Sequence, residues 1–216
     1  MRTATKALLA AACLAVPATA PTAQEAPKMQ LGRADASLVQ AGSYTADAAH
    51  TLVGWRVNHL GFNDYFGIFG DISGTLELDP ADLASAKVDV TIPVAAVTTA
   101  SAGLTEHLLR AGKDGGKPDF FGPAPAPARF ISTMVTPTGT NSAMIVGDLT
   151  LNGVTAPVAI AAKFTGAGPA PMSGKQTVGF EGRATLKRST FGVNMGIPMV
   201  SDEVELDITS AFELAS

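Results

Sequence analysis

Residues 203–213 read EVELDITSAFE, and the alternation within this stretch decides the fold class. Apolar residues such as Val204 and Leu206 occupy even-numbered positions, while acidic residues and a threonine occupy odd-numbered ones. Successive side chains of an extended strand point to opposite faces, so this period of two is typical of a strand with one buried face. Residues 85–92 (SAKVDVTI) and 177–187 (TVGFEGRATLK) repeat the pattern. The sequence therefore indicates β-structure in three separate places.

About eight strand patterns cover the chain from residue 50 onward. Asn152-Gly153 lies between two of them and is typical of a two-residue hairpin turn. Because almost no helical pattern separates the strands, antiparallel connections are favoured over a parallel α/β sheet. The predicted strands are 50–60, 67–78, 85–92, 128–136, 143–151, 155–165, 177–187 and 203–213.

One segment departs from the period of two. Residues 98–110 predict a short helix, with Thr98 or Thr99 as its N-cap and with Leu104 and Leu108 on one face. We therefore predict a single all-β domain of about eight antiparallel strands and one short helix. The pattern alone fits a sandwich as well as a closed barrel. A barrel of this size would enclose room for side chains or for one small ligand.

Composition argues against several function classes. The 216 residues carry a net charge of −4 and no basic cluster, which gives no electrostatic support for nucleic-acid binding. A single cysteine, Cys13, excludes a disulfide framework and a cysteine-based zinc site. His50 and His59 have opposite parity on one strand pattern, so we predict no metal site. The chain has no Gly-x-Ser-x-Gly element, and we predict no catalytic residue.

The N-terminus has the pattern of an export signal. Arg2 and Lys6 precede the apolar run 7–16, and small residues follow up to Ala23. The run is too short for a bilayer core, which needs roughly 20 residues. We therefore predict export to the periplasm, with lipid modification of Cys13 as the alternative.

Three segments follow from this pattern. Residues 1–23 are predicted to be a signal peptide, and no transmembrane segment is expected in the mature chain. Residues 24–42 carry no sustained period and predict a flexible leader. Residues 43–216 are predicted to form the single all-β domain.

Several motifs resemble, in order, those of the YceI-like polyisoprenoid-binding family. Residues 44–47 (YTAD) and 50–59 (HTLVGWRVNH) are similar to the opening of that family. The ordered set covers nearly all of the predicted mature chain. The further matching motifs are 67–69 with Gly74, 106–108, 119–121, 129–132, 147–155, 188–192 and 200–204.

The resemblance implies a lipocalin-like antiparallel barrel that holds an isoprenoid chain in its lumen. Two departures, the glycine-rich 112–118 and the proline-rich 122–128, fall beside the expected pocket mouth. The residues expected to contact the ligand are Val53, Trp55, Val57, His59, Phe62, Phe66, Phe69, His107, Leu108, Phe120, Phe121, Phe130, Phe180, Arg188 and Phe191.

The resemblance also implies a function. We expect an exported, non-catalytic protein that carries or sequesters a polyisoprenoid lipid or isoprenoid quinone, with no cofactor besides that ligand. The alternative is an accessory enzyme or electron-transfer partner that acts on isoprenoid quinones with a membrane cytochrome. For the oligomeric state, both a homodimer and a monomer are compatible with the sequence. His59 or His107 either bonds within the protein or holds a ligand head group, and Arg188 is either a solvated turn residue or a cation near the pocket opening.

Overall fold

The computed structural model describes residues 31–215, which contain eleven strands and one α-helix. Every strand pairing in this part of the chain is antiparallel, and short 3-10 turns fill several connections. The elements are β1 (Gly42–Ala46), β2 (Leu52–His59), β3 (Asn63–Phe69), β4 (Ser73–Leu78), β5 (Lys87–Ile92), β6 (Val97–Thr99), α1 (Ala102–Leu109), β7 (Ala128–Gly139), β8 (Ser142–Leu151), β9 (Val154–Pro169), β10 (Gln176–Lys187) and β11 (Glu203–Leu214).

The eleven strands behave as eight, because six of them are halves of three interrupted strands. β1 and β2 form one interrupted strand, because both pair with β11. β4 pairs with β1 and β3 pairs with β2, so β3 and β4 form the second interrupted strand. In the same way β5 pairs with β4 and β6 pairs with β3. The continuous strands β7 to β11 complete the sheet, and the β1–β11 pairing closes it. The predicted all-β fold of about eight antiparallel strands is confirmed as a closed barrel.

The sequence did not predict the points at which the strands are interrupted. The predicted strand 67–78 divides at residues 70–72 and begins earlier, at Asn63. β1 and β6 were not predicted. Both are short, at five and three residues, so their alternation is too brief to detect.

The helix is shorter than the predicted 98–110, and its predicted N-cap was wrong. Ser101 caps α1, accepting a hydrogen bond at its Oγ from the Leu104 N–H at 3.3 Å. Thr98 and Thr99 are instead held in β6, where Thr98 pairs with Ile68 of β3. Pairing with a neighbouring strand therefore overrides the local capping preference of the two threonines.

The described part of the predicted leader follows a defined path. Arg33 forms a β-bridge with Ala167, and the Gln40 carbonyl accepts a 2.6 Å hydrogen bond from the Tyr44 hydroxyl. The Gln176 side chain donates to the Leu38 carbonyl at 2.6 Å. These contacts hold residues 33–42 against the barrel, and the flexible leader over 24–42 stays a prediction. Residues 24–30 of that segment and the predicted signal peptide over 1–23 lie outside the described residues.

The two ends of the barrel differ. At the helix end lie α1, the β2–β3 turn and the segment 192–202. At the terminal end lie residues 31–41, the β4–β5 connection and the turn 170–175. Part of the terminal end is filled by a cluster of buried side chains, which comprises Tyr44, Ala46, Leu76, Leu78, Ala167, Val178 and Phe212.

Candidate functional site

An elongated cavity of about 740 Å³ occupies the barrel interior. Inward-facing residues of β2 to β5 and of β7 to β11 line it, and nearly all of their exposed atoms are apolar. The volume lies within the roughly 300–1,000 Å³ of sites that bind small molecules. The cavity reaches the helix end at Ser101 and His107 and the terminal end at Pro80 and Thr140. Its shape and chemistry suit a long hydrocarbon ligand.

Most of the ligand-contact residues predicted from the sequence face this cavity. On β2 the alternation places four of them on the inward face, as the period of two predicted. The predicted residues that line the cavity are Val53, Trp55, Val57, His59, Phe69, His107, Leu108, Phe120, Phe121, Phe130, Phe180 and Arg188.

Three predicted contact residues do not line this cavity. Phe62 sits in the β2–β3 turn and is 87% exposed. Phe66 is on the outward parity of β3, because Tyr65 faces the cavity, and it is 60% exposed. Phe191 is buried against a cluster that includes the cavity-lining Phe130, but it does not itself line the cavity.

Many cavity residues were not predicted as contacts, although the signal was present. They lie on the apolar parity of strands that the alternation had already identified. Most of them are aliphatic, whereas most of the expected contact residues are aromatic. They include Val88, Val90, Ile145, Leu149, Ile160, Leu206 and Ile208.

Two inward-facing glycines make room for large rings against the wall. Gly67 is the register partner of Trp55, and a Cβ atom at Gly67 would overlap the indole ring. A Cβ atom at Gly147 would likewise overlap the Phe130 ring, although the register partner of Gly147 is Ser132. The indole N–H is buried with no hydrogen-bond partner among the described residues, so packing alone holds the ring. Glycine at these sites lets the rings lie flat instead of projecting into the lumen.

A polar cluster marks the helix end of the cavity. His107 Nε2 and Arg110 Nη2 lie 2.8 and 2.9 Å from Asp119 Oδ2, and the Phe120 ring packs edge-on against the imidazole at 5.2 Å. These hydrogen bonds, first from His107 and then from Arg110, hold the pKa of Asp119 below its usual value of 3.8. The cluster ties α1 to the segment that carries Phe120.

We expect Asp119→Asn to lower the melting temperature near pH 7 by at most about 3 °C, because the group is partly exposed to water. A carboxylate with a lowered folded-state pKa stabilises the fold above its unfolded-state pKa, and this contribution is lost as the pH falls through the folded value. The difference from wild type should therefore shrink below pH 3.8. Thermal melts across pH 3–7 measure this, with Asp114→Asn in the exposed neighbouring loop as control. An undiminished difference near pH 3 would contradict the assignment.

Of the two roles that the sequence suggested for Arg188, the structure contradicts one. It is 6% exposed, so the interpretation as a solvated turn residue is wrong. Four of its N–H groups donate to backbone carbonyls of Ser201, Val193, Met195 and Val200, at 2.8 to 2.9 Å. Burial lowers the pKa of the guanidinium. Although Arg188 borders the cavity, its donors are used to hold the loop 193–201.

The histidines do not converge. His50 bonds to Asp47 at 2.7 Å in the β1–β2 turn, whereas His59 ends β2. Within residues 31–215, no three His, Cys, Asp or Glu side chains are grouped as a metal would require. The absence of a metal site stays a prediction. No helix in the described part of the chain has the length and hydropathy to cross a bilayer.

Comparison with known families and proteins identifies relatives of this chain. The YceI-like domain matches residues 44–212. Protein YceI of Escherichia coli is 38% identical over 191 residues, covering 84% of this chain and 95% of the relative. A UPF0312 protein of Pseudomonas aeruginosa is 41% identical over 174 residues, covering 79% and 86% of the two chains.

Two solved structures have the same fold. BcnA of Burkholderia cenocepacia aligns with a TM-score of 0.62 and 25% identity, over 77% of this chain and 98% of that one. A polyisoprenoid-binding domain of Saccharophagus degradans, implicated in plant cell wall breakdown, aligns with a TM-score of 0.55 and 12% identity. That alignment covers 82% of this chain and 100% of the other, and at this identity it speaks for the fold alone.

Proposed function

The chain belongs to the YceI-like family, and from this we propose that it is an exported, non-catalytic carrier of a polyisoprenoid lipid or isoprenoid quinone. The observation that carries the proposal is the long apolar cavity of about 740 Å³. The polyisoprenoid-binding domain with the same fold supports it by analogy. The export-signal pattern at residues 1–23 supports a periplasmic location.

The physical basis is burial of hydrocarbon. Each CH₂ group transferred from water to an apolar lumen contributes about 0.8 kcal/mol. A few isoprene units therefore supply enough free energy for tight binding without any polar contact. The closed sheet leaves no backbone N–H or C=O groups unpaired along most of the wall, so a hydrocarbon meets side chains alone.

The ends of the cavity suggest how the ligand is oriented. Ser101, His107 and His59 are polar side chains that line the helix end of the otherwise apolar cavity. The head group would then lie near His107, with the chain along β2 and β11. A single hydrogen bond to such a group orients the ligand, while the chain contributes most of the affinity.

The proposal predicts a ligand that copurifies with the protein. Organic extracts of the protein, purified from bacterial periplasm, should contain a prenyl lipid or quinone near one per chain, identified by mass and ultraviolet spectra. Extracts of a similarly purified periplasmic protein without an apolar cavity serve as the control. Protein that contains no lipid, and binds none when titrated with prenyl alcohols or quinones, would contradict the carrier function. A stoichiometric haem band would instead favour an electron-transfer role.

A further inference from the structure

The helix end carries an exposed apolar surface outside the cavity. We call this surface the apolar tip and define it by Leu60 and Phe62 of the β2–β3 turn and Met195 and Met199 of the loop 193–201. These four side chains are 44 to 87% exposed. Soluble domains expose single apolar residues commonly, but a group of large ones at one end of the molecule marks an interaction site.

The two segments of the apolar tip are held together as one unit. The Leu60 N–H donates to the Met199 carbonyl at 2.7 Å, and His59 forms a β-bridge with Val200. Asn58 exchanges hydrogen bonds with Ser201, donating at 3.0 Å and accepting at 2.9 Å. Arg188 fixes the same loop from inside through its carbonyl contacts. The exposed side chains therefore stand on backbone that is already ordered, which lowers the entropic cost of docking.

The chemistry of the tip favours a lipid surface over a charged partner. Residues 193–201 read VNMGIPMVS and contain no charged side chain. The tip is also continuous with the cavity, because His59, Met195 and Val200 line it while their neighbours Leu60 and Met199 face outward. An apolar ligand that enters at this end passes across the tip. The surface that presents such ligands is the interface of a bilayer.

We propose that the apolar tip docks the barrel onto a bilayer surface, with Phe62 and Met199 inserted among the lipids and the cavity opening toward them. This inference rests on the proposed lipid cargo and adds the place where the cargo is exchanged. Insertion is driven by apolar burial, so docking should depend little on the charge of the lipids or on salt.

Cosedimentation with vesicles tests the docking. Wild type should bind vesicles of phosphatidylcholine and phosphatidylethanolamine, with similar affinity at low and high salt. The double variant Phe62→Ser/Met199→Ser should bind them at least about tenfold more weakly. Met172→Ser is the matched control, since Met172 is fully exposed in the turn 170–175 at the opposite end. It should bind like wild type.

A second measurement separates docking from cargo binding. In solution without vesicles, the double variant should bind a prenyl alcohol as wild type does, whereas its uptake of that ligand from vesicles should be slower by a similar factor. Failure of wild type to bind vesicles overturns the docking, even if the lipid copurifies. Equal loss in the Met172→Ser control also overturns it. Sedimentation that shows wild type pairing through the tip, and the double variant monomeric, assigns the surface to a second copy instead.

Discussion

Replacing Arg188 with methionine is expected to lower the free energy of unfolding by about 3–5 kcal/mol. The guanidinium is buried and donates to carbonyls of Ser201, Val193, Met195 and Val200. Methionine keeps an apolar stem of similar length but leaves these acceptors without a donor. A buried polar group that loses its partner costs about 1–3 kcal/mol, and water reaches only part of this loop. Urea unfolding followed by circular dichroism measures the change.

Arg183 provides a matched control on β10, the strand that ends just before Arg188. Its side chain is 85% exposed and pairs with Asp207 on the outer wall at 3.3 Å. Arg183→Met should change stability by less than about 1 kcal/mol, because exposed ion pairs contribute little. Arg188→Lys retains the charge without the planar set of donors, and its stability should fall between wild type and Arg188→Met. An Arg188→Met protein as stable as the Arg183→Met protein would show that the carbonyl contacts are not maintained in solution.

Val57→Trp is expected to empty the cavity of its ligand. Val57 lies on the inward face of β2 and is paired with Tyr65 of β3, so an indole there projects into the lumen. If it occupies the space of about four methylene groups, at about 0.8 kcal/mol each, affinity falls roughly 200-fold. The side chain stays apolar, and the cavity supplies the room that a packed core lacks. The variant should therefore purify without lipid and melt close to lipid-stripped wild type.

Ile131→Trp controls for the bulk of the new ring. Ile131 lies on β7 beside the inward-facing Phe130, points outward and is 39% exposed. This variant should retain the ligand. Overpacking of a solid core typically costs 1–3 kcal/mol. A Val57→Trp protein that melts far below stripped wild type, or that keeps its lipid, would mean that this face of β2 lines a packed core.

The sequence predicted the strands well where alternation was long, and less well where pairing decided the structure. In β10 and β11 the alternation specifies both the strand and its inward face. Phe62 and Phe66 are expected contact residues that lie outside the cavity. Parity alone separates Phe66 from Tyr65, and a turn position separates Phe62 from both.

Arg188 shows a different limit. Its partners are backbone carbonyls of residues whose side chains carry no charge, so no complementary residue in the sequence reveals that the arginine is buried. The glycines at 67 and 147 are similar cases. Each is needed because a ring from the neighbouring strand lies over it, and that neighbour is known only once the register is known.

The closed order of the strands has a consequence for how the chain folds. Nearly every pairing joins strands that are adjacent or close along the chain, so most of the sheet can form by adding one strand to the last. The exception is the seam, where Tyr44 meets Leu214 and Val53 meets Ile208. Joining residues so far apart in sequence carries the largest entropy cost of loop closure in the molecule. The lumen therefore does not exist until the last strand has formed. Until then, β10 and the β1–β2 strand are open edges whose unpaired backbone groups can pair with other chains.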